Sequence, residues 1–189
     1  MNDFIFALCS RKVNLNMDNS NAVKQFTEES SGIKCPSTPL KMDLNSARFI
    51  IRMVMSEMHE LACTVTKDRD ESLLLMKECL SSIDECKKYN YSSDIDLIAA
   101  QADSMVDAWY YILNTAAKHG MNLSKLFEVI HDANMAKKDP STGKFIKRET
   151  DGKIIKPEEW KPPDVEGEIR RQMEQGSWKM ENTNKCSYD

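Results

Sequence analysis

Apolar residues recur every three or four positions from about residue 20 to residue 134, and the places where the recurrence fails divide this stretch into five predicted helices. The first carries Ala22, Val23 and Phe26, can be capped by Asp18 or Ser20, and must end before Gly32. Cys35-Pro36-Ser37-Thr38-Pro39 follows as a linker, because its prolines suit neither helix nor central strand. A long second helix starts near Asp43 or Asn45 and sets Ala47, Ile50, Ile51, Val54, Met58, Leu61, Ala62 and Val65 at helical spacing. After the polar turn Lys67-Asp68-Arg69-Asp70, a third helix is expected over about 71–88, with Leu74, Leu75, Cys79 or Leu80, and Ile83 on its stripe. The fourth runs from Ser92 or Ser93 to His119-Gly120, and the fifth starts at Asn122 or Ser124 with Leu123, Leu126, Phe127 and Ile130 inward.

Beyond residue 134 the period changes. Lys144-Phe145-Ile146-Lys147-Arg148 and Lys153-Ile154-Ile155-Lys156 flank Asp151-Gly152, a hairpin signal, while Pro157, Pro162 and Pro163 forbid regular structure around Trp160. A short helix is expected over Val165–Gln175, followed by a polar, mobile end. No internal repeat at a fixed period is legible. The chain thus reads as all-α, a bundle of four to five helices with a short β-hairpin or irregular basic tail. Residues 1–17 form an N-terminal extension expected to be disordered, 18–164 the domain with its tail, and 165–189 a C-terminal extension.

Charge changes the picture more than composition does. The 189 residues are 41% hydrophobic and 30% charged with a net charge of −4, which fits a globular domain and excludes a general nucleic-acid binder. The charge is polarised: residues 54–107 hold 12 acids against 5 Lys or Arg, and residues 136–161 hold 8 Lys or Arg against 5 acids. An acidic body beside a basic strip suits a polyphosphate, although a strip of this kind is as often a solvated loop. Six cysteines (Cys9, Cys35, Cys63, Cys79, Cys86, Cys186) include no zinc spacing or usable disulfide framework, so a reducing, cytoplasmic location is expected. Neither a signal-peptide core nor a membrane span is present in the pattern.

Chemistry concentrates in two carboxylate pairs. Glu57 and Glu60 stand three apart on the second predicted helix, and Asp103 and Asp107 four apart on the fourth, so each pair shares a helix face. Four residues on from these acids lie Leu61, Thr64, Asp107 and Tyr111, none of them a cation. Acid pairs on amphipathic helices are usually solvated. Here the second pair lies in the apolar run Ile98, Ala99, Ala100, Ala102, Met105, Val106, Ala108, Trp109, where an unpaired charge is costly to bury. A divalent cation would balance such a cluster, and magnesium takes oxygen ligands at about 2.1 Å, usually a few carboxylates with waters and substrate phosphate. Other residues carry less. Glu128-x-x-His131 has a di-iron spacing without the second motif that site needs, and His59 points about 100° from either neighbour, so it is expected to be exposed.

The order of Glu57-x-x-Glu60-Leu61, the Asp103-x-x-x-Asp107 helix, His131-x-x-Asn134-Met135-x-Lys137, Asp151-Gly152-Lys153 and Lys156-Pro157-x-x-Trp160-x-Pro162-Pro163-Asp164 resembles the all-α nucleoside-triphosphate pyrophosphohydrolases. Within them it is most similar to the phosphoribosyl-ATP pyrophosphohydrolase-like, MazG-related branch. The resemblance spans roughly residues 20–164. It implies a Mg2+-dependent enzyme, with Mn2+ as a substitute, that cleaves a nucleotide to the monophosphate and pyrophosphate by water attack at the α-phosphorus. Glu57 and Glu60 would be the catalytic pair, and Glu57, Glu60, Asp103 and Asp107 the metal ligands. Ser56 stands where the family often has a further acid, and Ser104 where its second pair, commonly spaced by three, has its first acid, so that Asp103, four residues before Asp107, must substitute. Lys137, Lys138 and Lys153 are suited to phosphate. Asn134 suits either a base or sugar contact or a helix C-cap, and Trp160 either stacking or pinning of the tail. A homodimer or higher homo-oligomer sharing helices in one core is expected. The rival reading is a non-catalytic helical interaction protein, favoured by Ser56, Gln101 and Ser104.

Overall fold

A computed structural model describes residues 18–83 and 90–178, and they fold as six α-helices without a sheet. These are α1 (Asn19–Ser31), α2 (Leu44–Cys63), α3 (Arg69–Ser81), α4 (Asp94–Lys118), α5 (Leu123–Met135) and α6 (Val165–Gln175). Local chemistry sets the boundaries. Asp18, Asp43, Asp68, Asn122 and Asp164 cap five of the helices, each side chain accepting an orphan backbone N–H of the first turn. Gly32 closes α1 with φ 72°, a left-handed conformation that costs a Cβ-bearing residue more. None of the helices among the described residues is long and apolar enough to cross a membrane.

Two compact units divide the chain, one of residues 36–110 and one of residues 1–35 with 111–189; α4 starts in the former and ends in the latter. In the unit of residues 36–110, α2 packs on α3. Gln101 of α4 clamps the backbone ahead of α2: its Oε1 accepts from Met42 N at 2.8 Å and its Nε2 donates to Met42 O at 3.1 Å. In the other unit α5 packs on both α1 and α6. Gln172 repeats the device there, accepting from Asn122 N at 2.8 Å and donating to Asn122 O at 3.1 Å. A single glutamine satisfies both backbone groups at a helix start in each case, as burial requires.

The third helix is shorter than its pattern. It starts two residues early, because Asp68 caps it and Glu71 accepts from Lys67 N at 2.9 Å, and it stops at Ser81. Ser81 and Ser82 hydroxyls there donate to Glu78 O and Cys79 O, competing with the helical ladder. Ser82 and Ile83 are not helical, and residues 84–88 of the expected span, with Cys86, lie outside the described residues. Its stripe is not buried either: Leu74, Leu80 and Ile83 are exposed, and the fully buried residue of α3 is Ser72.

The tail holds a repeat that the sequence pattern did not reveal. Lys138 bridges Phe145, and nine residues on Lys147 bridges Ile154, both antiparallel. Each bridge closes a five-residue turn in which a glycine N–H returns to the first residue's carbonyl at 2.8 Å, Gly143 to Asp139 and Gly152 to Arg148. Both glycines are left-handed, φ 67° and 68°. The expected hairpin is therefore the second of two matching turns, and Lys138-x4-Gly143-Lys144-x-Ile146-Lys147 recurs in the sequence as Lys147-x4-Gly152-Lys153-x-Ile155-Lys156. Phe145 of the first turn meets Phe26 of α1 edge-on at 5.3 Å.

α6 also carries an internal charge pair. Arg171 grips Glu168 with two bonds of 2.7 Å, and Gln172 Nε2 donates to the same carboxylate at 2.8 Å. The Arg171 hydrogen bond leads in lowering the Glu168 carboxyl from 4.5 to about 2. A depressed acid contributes stability above its unfolded pKa and loses it as pH falls toward the folded one. Glu168→Gln should therefore lower the melting temperature at neutral pH, and the deficit should shrink from pH 4.5 downward and close near pH 2. Thermal melts of both proteins across that range check it. A deficit independent of pH would show that the charge is not involved.

Candidate functional site

Glu57 and Glu60 lie on α2 and Asp103 and Asp107 on α4, all within the unit of residues 36–110 and all exposed. None forms an ion pair with a cation among the described residues. What surrounds them is apolar. On α2, Met53, Val54 and Leu61 occupy neighbouring positions on the face of Glu57, and on α4 Val106 and Tyr110 stand three residues from Asp103 and Asp107; these five are 38–69% exposed. The acids thus sit in apolar surfaces that a single chain leaves open, and the buried hydrophobic residues described are only Ala22, Ala62, Ala116 and Leu126.

The donor chemistry, four carboxylates with no competing cation, fits a hard divalent ion. Among the described residues, however, no three His, Cys, Asp or Glu side chains gather as a metal-holding group. One chain supplies the right ligands on two helices without converging them.

His59 corrects an expectation. It is half-buried, and its Nε2 lies 3.0 Å from the hydroxyl of fully buried Ser72 on α3. Ser72 donates that hydroxyl to Arg69 O at 2.8 Å, so it receives a proton from the imidazole. His59 therefore ties α2 to α3, one residue away from Glu60. Gln101 and Ser104, which favoured a degraded site, have local work: Gln101 clamps Met42, and Ser104 Oγ donates to Ala100 O at 2.9 Å. Glu128 pairs with Lys125, and His131 stacks on Phe127 with ring centres 5.7 Å apart.

The basic tail separates into three settings. Lys138 is drawn into an ion pair with Glu29 of α1 at 2.5 Å and lies over Phe145. Lys153 is exposed on the second turn, where it helps Arg148 hold the Asp151 carboxyl below its usual range. Asn134, Lys137 and Trp160 come together at the end of α5. Trp160 Nε1–H donates to Ala133 O at 2.8 Å, satisfying an orphan carbonyl of the last helical turn, so Trp160 pins the tail. Asn134 is not the C-cap, which falls on Ala136; its Oδ1 accepts from Lys137 Nζ at 2.7 Å. Burial pushes the Lys137 ammonium down, and the charge of Lys156 pushes it further. Lys156, with Nζ 4.1 Å from the centre of the Trp160 ring, was named in the motif but was not among the candidate site residues. Its signal was present in Lys156-Pro157-x-x-Trp160, a turn spacing that folds the indole back onto the lysine.

The described chain is similar to the crystal structure of a putative NTP pyrophosphohydrolase from Exiguobacterium sp. 255-15, with a TM-score of 0.70 and 27% sequence identity over 82% of this chain and 95% of that one. No protein-family profile and no curated protein sequence matches the chain.

Proposed function

We propose that this protein hydrolyses a nucleoside triphosphate or related nucleotide to the monophosphate and pyrophosphate, with Glu57, Glu60, Asp103 and Asp107 as the ligands of Mg2+ or Mn2+. The observation that carries it is the pairing of two facts: the likeness to a putative NTP pyrophosphohydrolase over nearly that whole chain, and four acids on α2 and α4 with no compensating cation among the described residues. The likeness supports the superfamily, and the MazG-related branch is our finer reading within it. Because the acids lie in open apolar surface, covering that surface with a second copy of the chain would take them out of water. Carboxylates so desolvated need a counter-charge, and a divalent cation supplies it. We therefore assign a homodimer, or a higher homo-oligomer, as the active form, in a reducing, cytoplasmic setting where Cys35, Cys63 and Cys79 stay free.

The chemistry is an in-line displacement. A water oxygen bonds to the α-phosphorus and stays with the monophosphate, the bond from the α-phosphorus to the α–β bridging oxygen breaks, and pyrophosphate leaves carrying the bridging oxygen. The Glu57 and Glu60 pair orients the water and takes its proton. A bound magnesium would neutralise phosphate charge and lower the water's pKa. Asn134, Lys137, Lys138, Lys153 and Trp160 form the substrate-binding set, the lysines meeting charge on the phosphates and the leaving pyrophosphate.

Pyrophosphate release from a panel of nucleoside triphosphates with magnesium tests the activity directly, and no release from any of them would leave the non-catalytic interaction protein. Metal linkage is tested separately. Magnesium at about 100 times its Kd should stabilise the fold by about 2.7 kcal/mol, seen as a rise in Tm. Asp103→Asn with Asp107→Asn should remove the rise. An equal rise in the double variant would mean that other groups bind the metal.

A further inference from the structure

Two ammonium groups share one indole at the end of α5. Lys156 Nζ lies 4.1 Å and Lys137 Nζ 5.6 Å from the centre of the Trp160 ring. The ring is fixed at both ends, through Nε1–H to Ala133 O and through its backbone N–H to Pro157 O at 3.0 Å. Asn134 fixes Lys137 from below. Five lysines (Lys24, Lys34, Lys41, Lys125, Lys138) have a carboxylate partner; Lys137 and Lys156, like several exposed lysines, have none among the described residues, and it is their shared contact with one ring that sets them apart. They are close enough for Lys156 to act on the Lys137 charge, and Lys137 is half-buried. Lys156 is exposed, so the cost falls on the half-buried Lys137: partial burial beside a like charge costs free energy, and cation–π attraction of about 0.5–2 kcal/mol offsets it only in part. A fixed pair of cations without a counter-ion is the arrangement an oxyanion completes.

We propose that Lys137 and Lys156 form a binding site for a phosphate oxyanion, walled by Trp160 and positioned by Asn134, that takes pyrophosphate or the end of a triphosphate chain. The choice of phosphate among oxyanions rests on the hydrolase reading above; the pairing of the two lysines does not. Lysines act on phosphate as point charges, and two of them match the multiple charge of a pyrophosphate group. The site narrows the basic tail to one place, since Lys138 is already engaged by Glu29. It also assigns Trp160 a wall's role, because the ring that Lys156 covers is not open to a base.

The test is a titration of inorganic pyrophosphate into the full-length protein in metal-free buffer at constant ionic strength, following the Trp160 indole 1H–15N resonance, identified by its loss in Trp160→Phe. A saturable shift is expected. Lys137→Gln and Lys156→Gln should each weaken binding about tenfold, the usual size of one charge-assisted bond. Each variant should keep a single sharp indole resonance before ligand is added, displaced only by the loss of the nearby charge, reporting a folded tail. Lys147→Gln, which removes equal charge elsewhere on the tail, should bind as wild type. Absence of saturation, or equal weakening in Lys147→Gln, overturns the site. A second titration with a triphosphate analogue whose α–β bridge resists hydrolysis separates the sources. Tighter binding than pyrophosphate assigns the site to substrate, weaker binding to released product, and either upholds it. Pyrophosphate binding without hydrolysis of any triphosphate removes the enzyme and leaves the site; hydrolysis without a response at Trp160 does the reverse.

Discussion

Glu57→Gln and Asp107→Asn are each expected to lower turnover by at least about a hundredfold, the scale on which metal sites respond even to loss of an outer partner. The substitutions keep shape and remove one negative charge, so the loss would be chemical. The fold should survive. Both residues are exposed and neither makes an ion pair among the described residues, so no described contact depends on their charge. Removing one member of a like-charged set relieves repulsion, and without metal the variants should melt at or above the wild-type temperature. Steady-state kinetics with circular dichroism and thermal melting read both halves. Loss of helicity together with activity would make these acids structural, and full activity in either variant would place the metal elsewhere.

Val106→Glu and Tyr110→Glu are expected to break the oligomer and with it the activity. Both side chains are more than half exposed in one chain, and both flank the aspartate pair. Burying an apolar side chain contributes about 1.5–3 kcal/mol, and in a symmetric dimer each substitution acts twice. A buried carboxylate without a partner adds a further penalty, so dissociation should shift by more than about a hundredfold in Kd. Sedimentation or light scattering at micromolar concentration reads the mass, and circular dichroism separates dissociation from unfolding. A wild-type chain that is monomeric and active would end the shared-site reading. So would a Val106→Glu protein that keeps both mass and turnover.

What the sequence determined by itself is what depends on near neighbours along the chain. Capping by Asp18, Asp43 and Asn122, the glycine stop at Gly32 and the bounds of α6 were legible, since each involves groups within four residues of one another. So was the all-helical class, which period alone carries and to which the structural likeness adds. The end of α3 was not, because serine hydroxyls turned onto the backbone outweighed an apolar stripe that one chain does not bury. The nine-residue repeat in the tail escaped because it occurs only twice, too few times to set a period, and it is backbone bonds and left-handed glycines that make the two copies matching turns. Tertiary structure alone decided which polar groups meet. It paired His59 with Ser72, Gln101 with Met42, Gln172 with Asn122 and Trp160 with Ala133, over separations of 13 to 59 residues. It also divided the lysines, sending Lys138 to Glu29 and leaving Lys137 beside Lys156 on one ring. Spacing along a helix fixes which face a side chain takes; which charge it finds across a gap depends on how the helices and the tail dock, and no local pattern encodes that.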